Sequence, residues 1–163
     1  MSLEVHASRS FPVPVERAYA AWTEPDLVRQ WWGPAGFTCP VARMDVREGG
    51  VSLLAMRAPA EYGGADMYNT WTYSRVEPGE RLDYTMRFAT ADGRTITPAE
   101  AGIPGGVPDT VPHVVTFERL GDGRSGITVT ESGYTDPAAR DMSQAGLDQC
   151  LDKLERLLAA PRP

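Results

Sequence analysis

The chain has 163 residues, 42% of them hydrophobic and 23% charged, which suits one globular domain with one core across 1–163. Its net charge is −6 and its lysines and arginines are scattered, which argues against nucleic acid or anionic membrane as a partner. No run approaches the ~18 apolar residues of a spanning helix. The segment Met1–Val5 lacks the apolar core of a signal peptide, so the expectation is a soluble cytoplasmic protein without membrane insertion.

Residues 3–11 alternate with period two, so Leu3, Val5, Ala7 and Phe11 can share the inner face of a first strand. Pro12 and Pro14 stop it. Pro14 suits the first turn of a helix running from Val15 to Trp22. A second short helix is expected next, with Thr23 as cap, Pro25 in its first turn, Leu27, Val28, Trp31 and Trp32 on its apolar side, and Gly33-Pro34 as its stop. Trp31 and Trp32 are read as anchors of these two helices. Strands follow at 38–47, 51–58, 66–76 and 81–90, then a hairpin of 111–119 and 126–134 around Gly121-Asp122-Gly123. Asp45 and Arg47 are read as a surface ion pair. Residues 92–110 combine prolines and glycines with little periodicity and read as a long surface loop, a lid or an insertion. Asp136-Pro137 then opens a helix that runs to about Ala160 with an apolar stripe of Met142, Ala145, Cys150, Leu151, Leu154, Leu157 and Leu158. One strand, two helices, a run of six strands and a long helix spell α+β, and the long helix is the only element large enough to cover the sheet.

Phe11-x-x-Pro14-x-Glu16-Arg17-x-Tyr19-x-Ala21-Trp22-Thr23, then Leu27-Val28-x-x-Trp31-Trp32-Gly33-Pro34, Asp45-x-Arg47-x-Gly49-Gly50, Glu77-Pro78-Gly79-Glu80-Arg81-Leu82, Val115-Thr116-Phe117 and Gly146–Leu154 come in an ordered set. Together they resemble the Hsp90-ATPase-activator-homologue (AHSA1-like) family of the START/Bet v 1-like (SRPBCC) superfamily. The resemblance implies a helix-grip fold: a seven-stranded curved antiparallel sheet, two short helices after the first strand, and a long C-terminal helix over a cavity. It also implies a small apolar molecule as partner, since superfamily members bind lipids, sterols, hormones or polyketides, and a few are cyclases or hydrolases. The loop at 92–110 is longer than the family pattern. The family name points to an Hsp90-related interaction module as a further reading, and a homodimer stays open.

Fold does not fix function, so the chemistry must come from residues. A register that pairs Phe117 with Ile127 also pairs Val115 with Val129 and sets His113 opposite Glu131, within side-chain reach on the inner face. This pair is the only candidate acid–base dyad, for a cyclase, hydratase or hydrolase. The other inward candidates are Leu54, Met56, Trp71, Tyr73, Tyr84, Met86 and Phe88 from the strands. From the helix come Met142, Gly146 and Cys150, spaced i, i+4, i+8. They form an apolar ligand site with His113 and Glu131, and hydrophobic binding is the leading functional expectation. Cys39 and Cys150 stand far apart and only His6 and His113 are available, so no metal is expected. No G-x-S-x-G, Walker loop or dinucleotide fingerprint occurs, so no cofactor is implied.

Overall fold

The computed structural model describes residues 3–160, so the outermost residues of the 1–163 span, 1–2 and 161–163, lie outside the described part. The period-two segments form β1 (Leu3–Phe11), β2 (Thr38–Arg43), β3 (Val51–Arg57), β4 (Asp66–Glu77), β5 (Arg81–Ala89), β6 (Val111–Gly121) and β7 (Arg124–Tyr134). They make one antiparallel sheet in the order β1-β7-β6-β5-β4-β3-β2. Helices α1 (Val15–Thr23) and α2 (Pro25–Trp31) connect β1 to β2, and α3 (Pro137–Ala159) follows β7. This is the helix-grip architecture, a curled sheet holding a long helix. No helix among the described residues is long and apolar enough to cross a membrane.

Local chemistry sets the element ends, and two differ from the sequence expectation. Thr23 does not cap α2. It is the last residue of α1, its hydroxyl donates to the Tyr19 carbonyl at 3.0 Å, and Glu24 takes the cap position instead. A cap residue needs extended backbone, and that first occurs at Glu24 (φ −90°, ψ 125°), since Thr23 is still within α1. The strand expected over 38–47 stops at Arg43, because the Arg47 N–H donates to Asp45 O and the Gly50 N–H to Arg47 O, which folds 45–50 into a turn. The Asp45–Arg47 pair is exposed, at 2.9 Å. Asp136 does occupy the cap position of α3, but its side chain makes no capping bond. The β6–β7 hairpin turns on Asp122 and Gly123, both at positive φ (52° and 71°). This backbone matches the twist of the flanking strands and favours Asp-Gly.

The core lies between the concave face of the sheet and the three helices. Along α3, Leu147, Cys150, Leu151, Leu154 and Leu158 are buried, spaced as one helical stripe requires. The α3 backbone approaches β1 and α2 most closely, then α1 and β7. Arg9 on β1 fixes this seat: its guanidinium donates to Asp152 and Glu155 of α3 at 2.8 and 2.9 Å. Lys153 does the same on the other side, donating to the carbonyls of Gly33 and Phe37. Held at its flanks, α3 leaves a gap above the middle of the sheet.

Candidate ligand pocket

The gap is a half-open pocket whose chamber measures about 170 Å³. Strand alternation supplies its floor. Met56 on β3, Met67 and Asn69 on β4, Met86 and Phe88 on β5, His113 on β6 and Glu131 on β7 all reach its wall. From the helical side come Trp32, Pro34, Ser143, Gly146, Leu147 and Cys150, with Tyr134 at the end of β7. The structure thus brings together Met56, Met86, Phe88, His113, Glu131, Gly146 and Cys150 from the sequence-derived set.

Five members of that set lie elsewhere. Leu54, Trp71, Tyr73 and Tyr84 are fully buried beneath the chamber and do not line it. The reason is the two short helices, whose tryptophans fill that half of the grip. Trp22 donates its indole N–H to the Tyr84 hydroxyl at 3.3 Å, and the Trp32 ring stands edge-on against Trp71 at 5.1 Å. The Tyr73 hydroxyl is satisfied by Ser52 at 2.8 Å. The fifth, Met142, is 64% exposed. A spacing of four residues overshoots a full helical turn by about 40°. Two such steps from Cys150 carry Met142 off the inner face and onto the rim of a neighbouring chamber.

Trp31 is the pure anchor: it is fully buried and donates to the Ala21 carbonyl at 2.8 Å. Trp32 both anchors and lines the pocket, a role the sequence reading did not give it. Met67 and Asn69 were also missed, although they share the alternating phase of Trp71 and Tyr73. Tyr134 was not readable by alternation. From Glu131 the phase points residue 133 inward, but Gly133 sits at φ 98° and the β1–β7 register shifts there, which turns Tyr134 in instead.

The dyad lies in the register expected: His113 pairs with Glu131, Val115 with Val129 and Phe117 with Ile127. His113 Nε2 lies 3.4 Å from Glu131 Oε2, and both residues are buried. Nδ1 lies 2.9 Å from the Val111 carbonyl, which can only accept, so Nδ1 carries a hydrogen. Nε2 then faces Glu131, and only the protonated ring pairs with an ionised carboxylate. The Tyr134 hydroxyl donates to Glu131 Oε1 at 2.7 Å. Burial pushes the Glu131 carboxyl up, but the charge and closeness of His113 and the Tyr134 hydroxyl outweigh it. The result lies below the ordinary carboxylate value. A stack holds the imidazole in place: Tyr84 lies on it at 4.8 Å and Trp71 lies on Tyr84 at 4.6 Å. Both ring nitrogens of His113 are therefore turned to groups of the fold, which suits a fixed polar wall better than a proton shuttle. Cys150 is inert as a nucleophile, because burial pushes its thiol up to about 12.

A second chamber of about 210 Å³ adjoins the first, sharing Met86, Phe88, Tyr134 and Ser143 as wall. Its roof is Ile103 to Val107 of the 92–110 segment. That segment is ordered by its own hydrogen bonds. Thr97 and Glu100 make reciprocal side-chain to backbone bonds at 3.0 and 3.1 Å, a capping box that the sequence reading passed over. The Thr135 N–H donates to Gly106 O at 3.0 Å and docks the segment on the start of α3. Gly106 has φ 99°, and a Cβ there would lie 2.4 Å from Asp136 Cβ. Gly106→Ala is therefore expected to undock the roof at a cost of about 1–3 kcal/mol. Faster proteolysis within 98–108 would register it, and cleavage at the wild-type rate would refute the docking role.

A family model described as activator of Hsp90 ATPase homolog 1-like protein matches residues 12–159. Among solved structures, a protein from Chromobacterium violaceum is 27% identical with a TM-score of 0.78, and the match covers 97% of this chain and 98% of that one. A Staphylococcus epidermidis protein is 25% identical with a TM-score of 0.74, covering 95% of this chain and 88% of that one. The AHSA1 protein of Silicibacter pomeroyi, 18% identical with a TM-score of 0.75 over 96% and 97% of the two chains, shares the fold. No curated protein matches the chain.

Proposed function

This chain belongs to the activator of Hsp90 ATPase homolog 1-like family, and we propose that it binds a small, largely apolar molecule in the chamber between its sheet and α3. The observation that carries this reading is the wall itself: methionines, aromatics and Leu147 surround a few fixed polar groups in a space that α3 spans without filling. Gly146 adds to it. A glycine inside a helix costs about 1 kcal/mol relative to alanine, yet a Cβ at Gly146 would meet only Pro34 Cγ, at an ordinary 3.8 Å. The position tolerates a side chain and the fold forgoes one where the pocket wall passes.

Gly146→Ala is expected to raise stability by about 0.5–1 kcal/mol. Gly146→Phe should keep the circular dichroism spectrum and weaken binding of the neutral apolar probe N-phenyl-1-naphthylamine at least tenfold. Native mass spectrometry should show a co-purified mass on the wild-type protein that the phenylalanine variant lacks. Undiminished probe binding by Gly146→Phe would place the ligand elsewhere.

A second reading, an acid–base enzyme of cyclase, hydratase or hydrolase type, would have to use the His113–Glu131 pair on the same wall. There His113→Ala and Glu131→Gln should each cost ~10²–10⁴-fold in turnover, whereas a binder has no turnover to lose.

A further inference from the structure

Asn69 is 3% exposed and lies on the wall of the first chamber, yet its Oδ1 has no hydrogen-bond partner. An unpaired buried amide oxygen costs about 1–3 kcal/mol. The indole N–H groups of Trp32 and Trp71 also lack partners. Their edge-to-face contact offers at most one of them a ring face, and nothing does so for Asn69. Of the three unpaired groups, Asn69 Oδ1 and the Trp32 indole N–H belong to residues of the pocket wall, and Trp71 lies behind it.

The charges on the wall narrow the ligand further. His113 and Glu131 offset one another, and among the described residues no lysine or arginine lines either chamber. A carboxylate entering here would meet Glu131 with no cation of its own. Beside Asn69 an ammonium would have to compete with His113 and Tyr134 for a carboxylate they already hold, because the other wall carboxylate, Asp136, is exposed at the head of α3 and borders only the second chamber. Burying either charge unpaired is costly. A neutral group that both donates and accepts meets Asn69 without that cost. Beyond Met86 and Phe88 the second chamber continues under Ile103 and Val107, apolar space for a tail. Along α3, the eight positions from Cys150 back to Met142 span about 12 Å.

We propose that the two chambers together take an uncharged amphiphile of medium chain length, a primary amide or alcohol, whose head hydrogen-bonds the Asn69 side chain and whose tail lies under the 103–107 roof. This rests on the reading of the first chamber as a small-molecule site.

The test is an NMR titration of the full chain with octanamide, 1-octanol, octanoate and octylammonium at neutral pH. Octanamide and octanol should bind at least about tenfold more tightly than either ion, with shifts at Asn69, Trp32 and Val107. Asn69→Leu should weaken octanamide by about tenfold, as loss of a buried hydrogen bond does. It should also raise the thermal midpoint of the free protein, since it removes an unpaired amide. Asn69→Ser, a smaller change at the same site, should weaken octanamide in the same direction. Octanoate binding as well as octanamide, unchanged affinity in both variants, or a lower midpoint for Asn69→Leu would each overturn the head-group assignment while leaving the pocket reading intact. If none of the four probes binds, the pocket reading falls as well.

Discussion

Replacing His113 with leucine is expected to destabilise the protein by about 3–5 kcal/mol, the usual cost of leaving a buried carboxylate, here Glu131, without its partner. The pH dependence should also change sign. In the wild type the Glu131 carboxyl is held below its ordinary value of 4.5 in the fold. Its contribution is therefore present above that value and is lost as the pH falls through the folded pKa. In the variant, burial remains and the neighbouring charge is gone, so the carboxyl should titrate above its ordinary value. The variant should then lose stability as the pH rises from about 4.5 through that raised pKa. Urea unfolding at a series of pH values from acid to neutral reads both slopes. Parallel slopes for the two proteins would mean that Glu131 does not depend on His113. Glu131→Gln provides the control, because it should remove most of this pH dependence from either background.

Trp71→Ala should be comparably severe, at about 3–5 kcal/mol. Trp71 is fully buried, with the Trp32 edge against it and Tyr84 stacked on its face. Its removal opens a cavity beneath the pocket and takes away the outer member of the stack that ends on His113. Trp71→Phe keeps most of the ring and loses an indole N–H that has no partner, so roughly 1–2 kcal/mol is expected. Met142→Ala should change stability by no more than ~0.5 kcal/mol, because that side chain is mostly exposed. Denaturant titration of the three variants ranks them. A Met142→Ala loss as large as that of Trp71→Ala would contradict the division between buried floor and exposed rim.

Much of the fold and part of the pocket were legible in the residues. Strand phase is an all-or-none property: a one-residue slip turns an entire apolar face outward. Ile127 and Val129 on one strand and Val115 and Phe117 on the other therefore determine the register of β6 and β7. The meeting of His113 with Glu131 follows from it. The same alternation predicts Met56, Met86 and Phe88 on the concave face. Pro137 at the head of a leucine stripe predicts a long covering helix.

Which concave-face residues meet open space, and which are packed shut, was a tertiary decision. Alternation gives the same inward phase to Tyr84 and Met86, yet Trp22 reaches Tyr84 and nothing comparable covers Met86. That difference depends on where α1 and α2 lie across the sheet, which no local pattern encodes. Tyr134 enters the wall only because Gly133 takes a positive φ and shifts the register. Met142 leaves it because helical phase drifts over two turns. The gap itself exists because Arg9 and Lys153 hold α3 at its flanks, through contacts between residues more than a hundred positions apart. The sequence by itself determined which side chains point inward, since period and propensity are local. Only the packing of helices against the curled sheet decided where the inside stays empty, because a void is set by the separation of elements brought together from both ends of the chain.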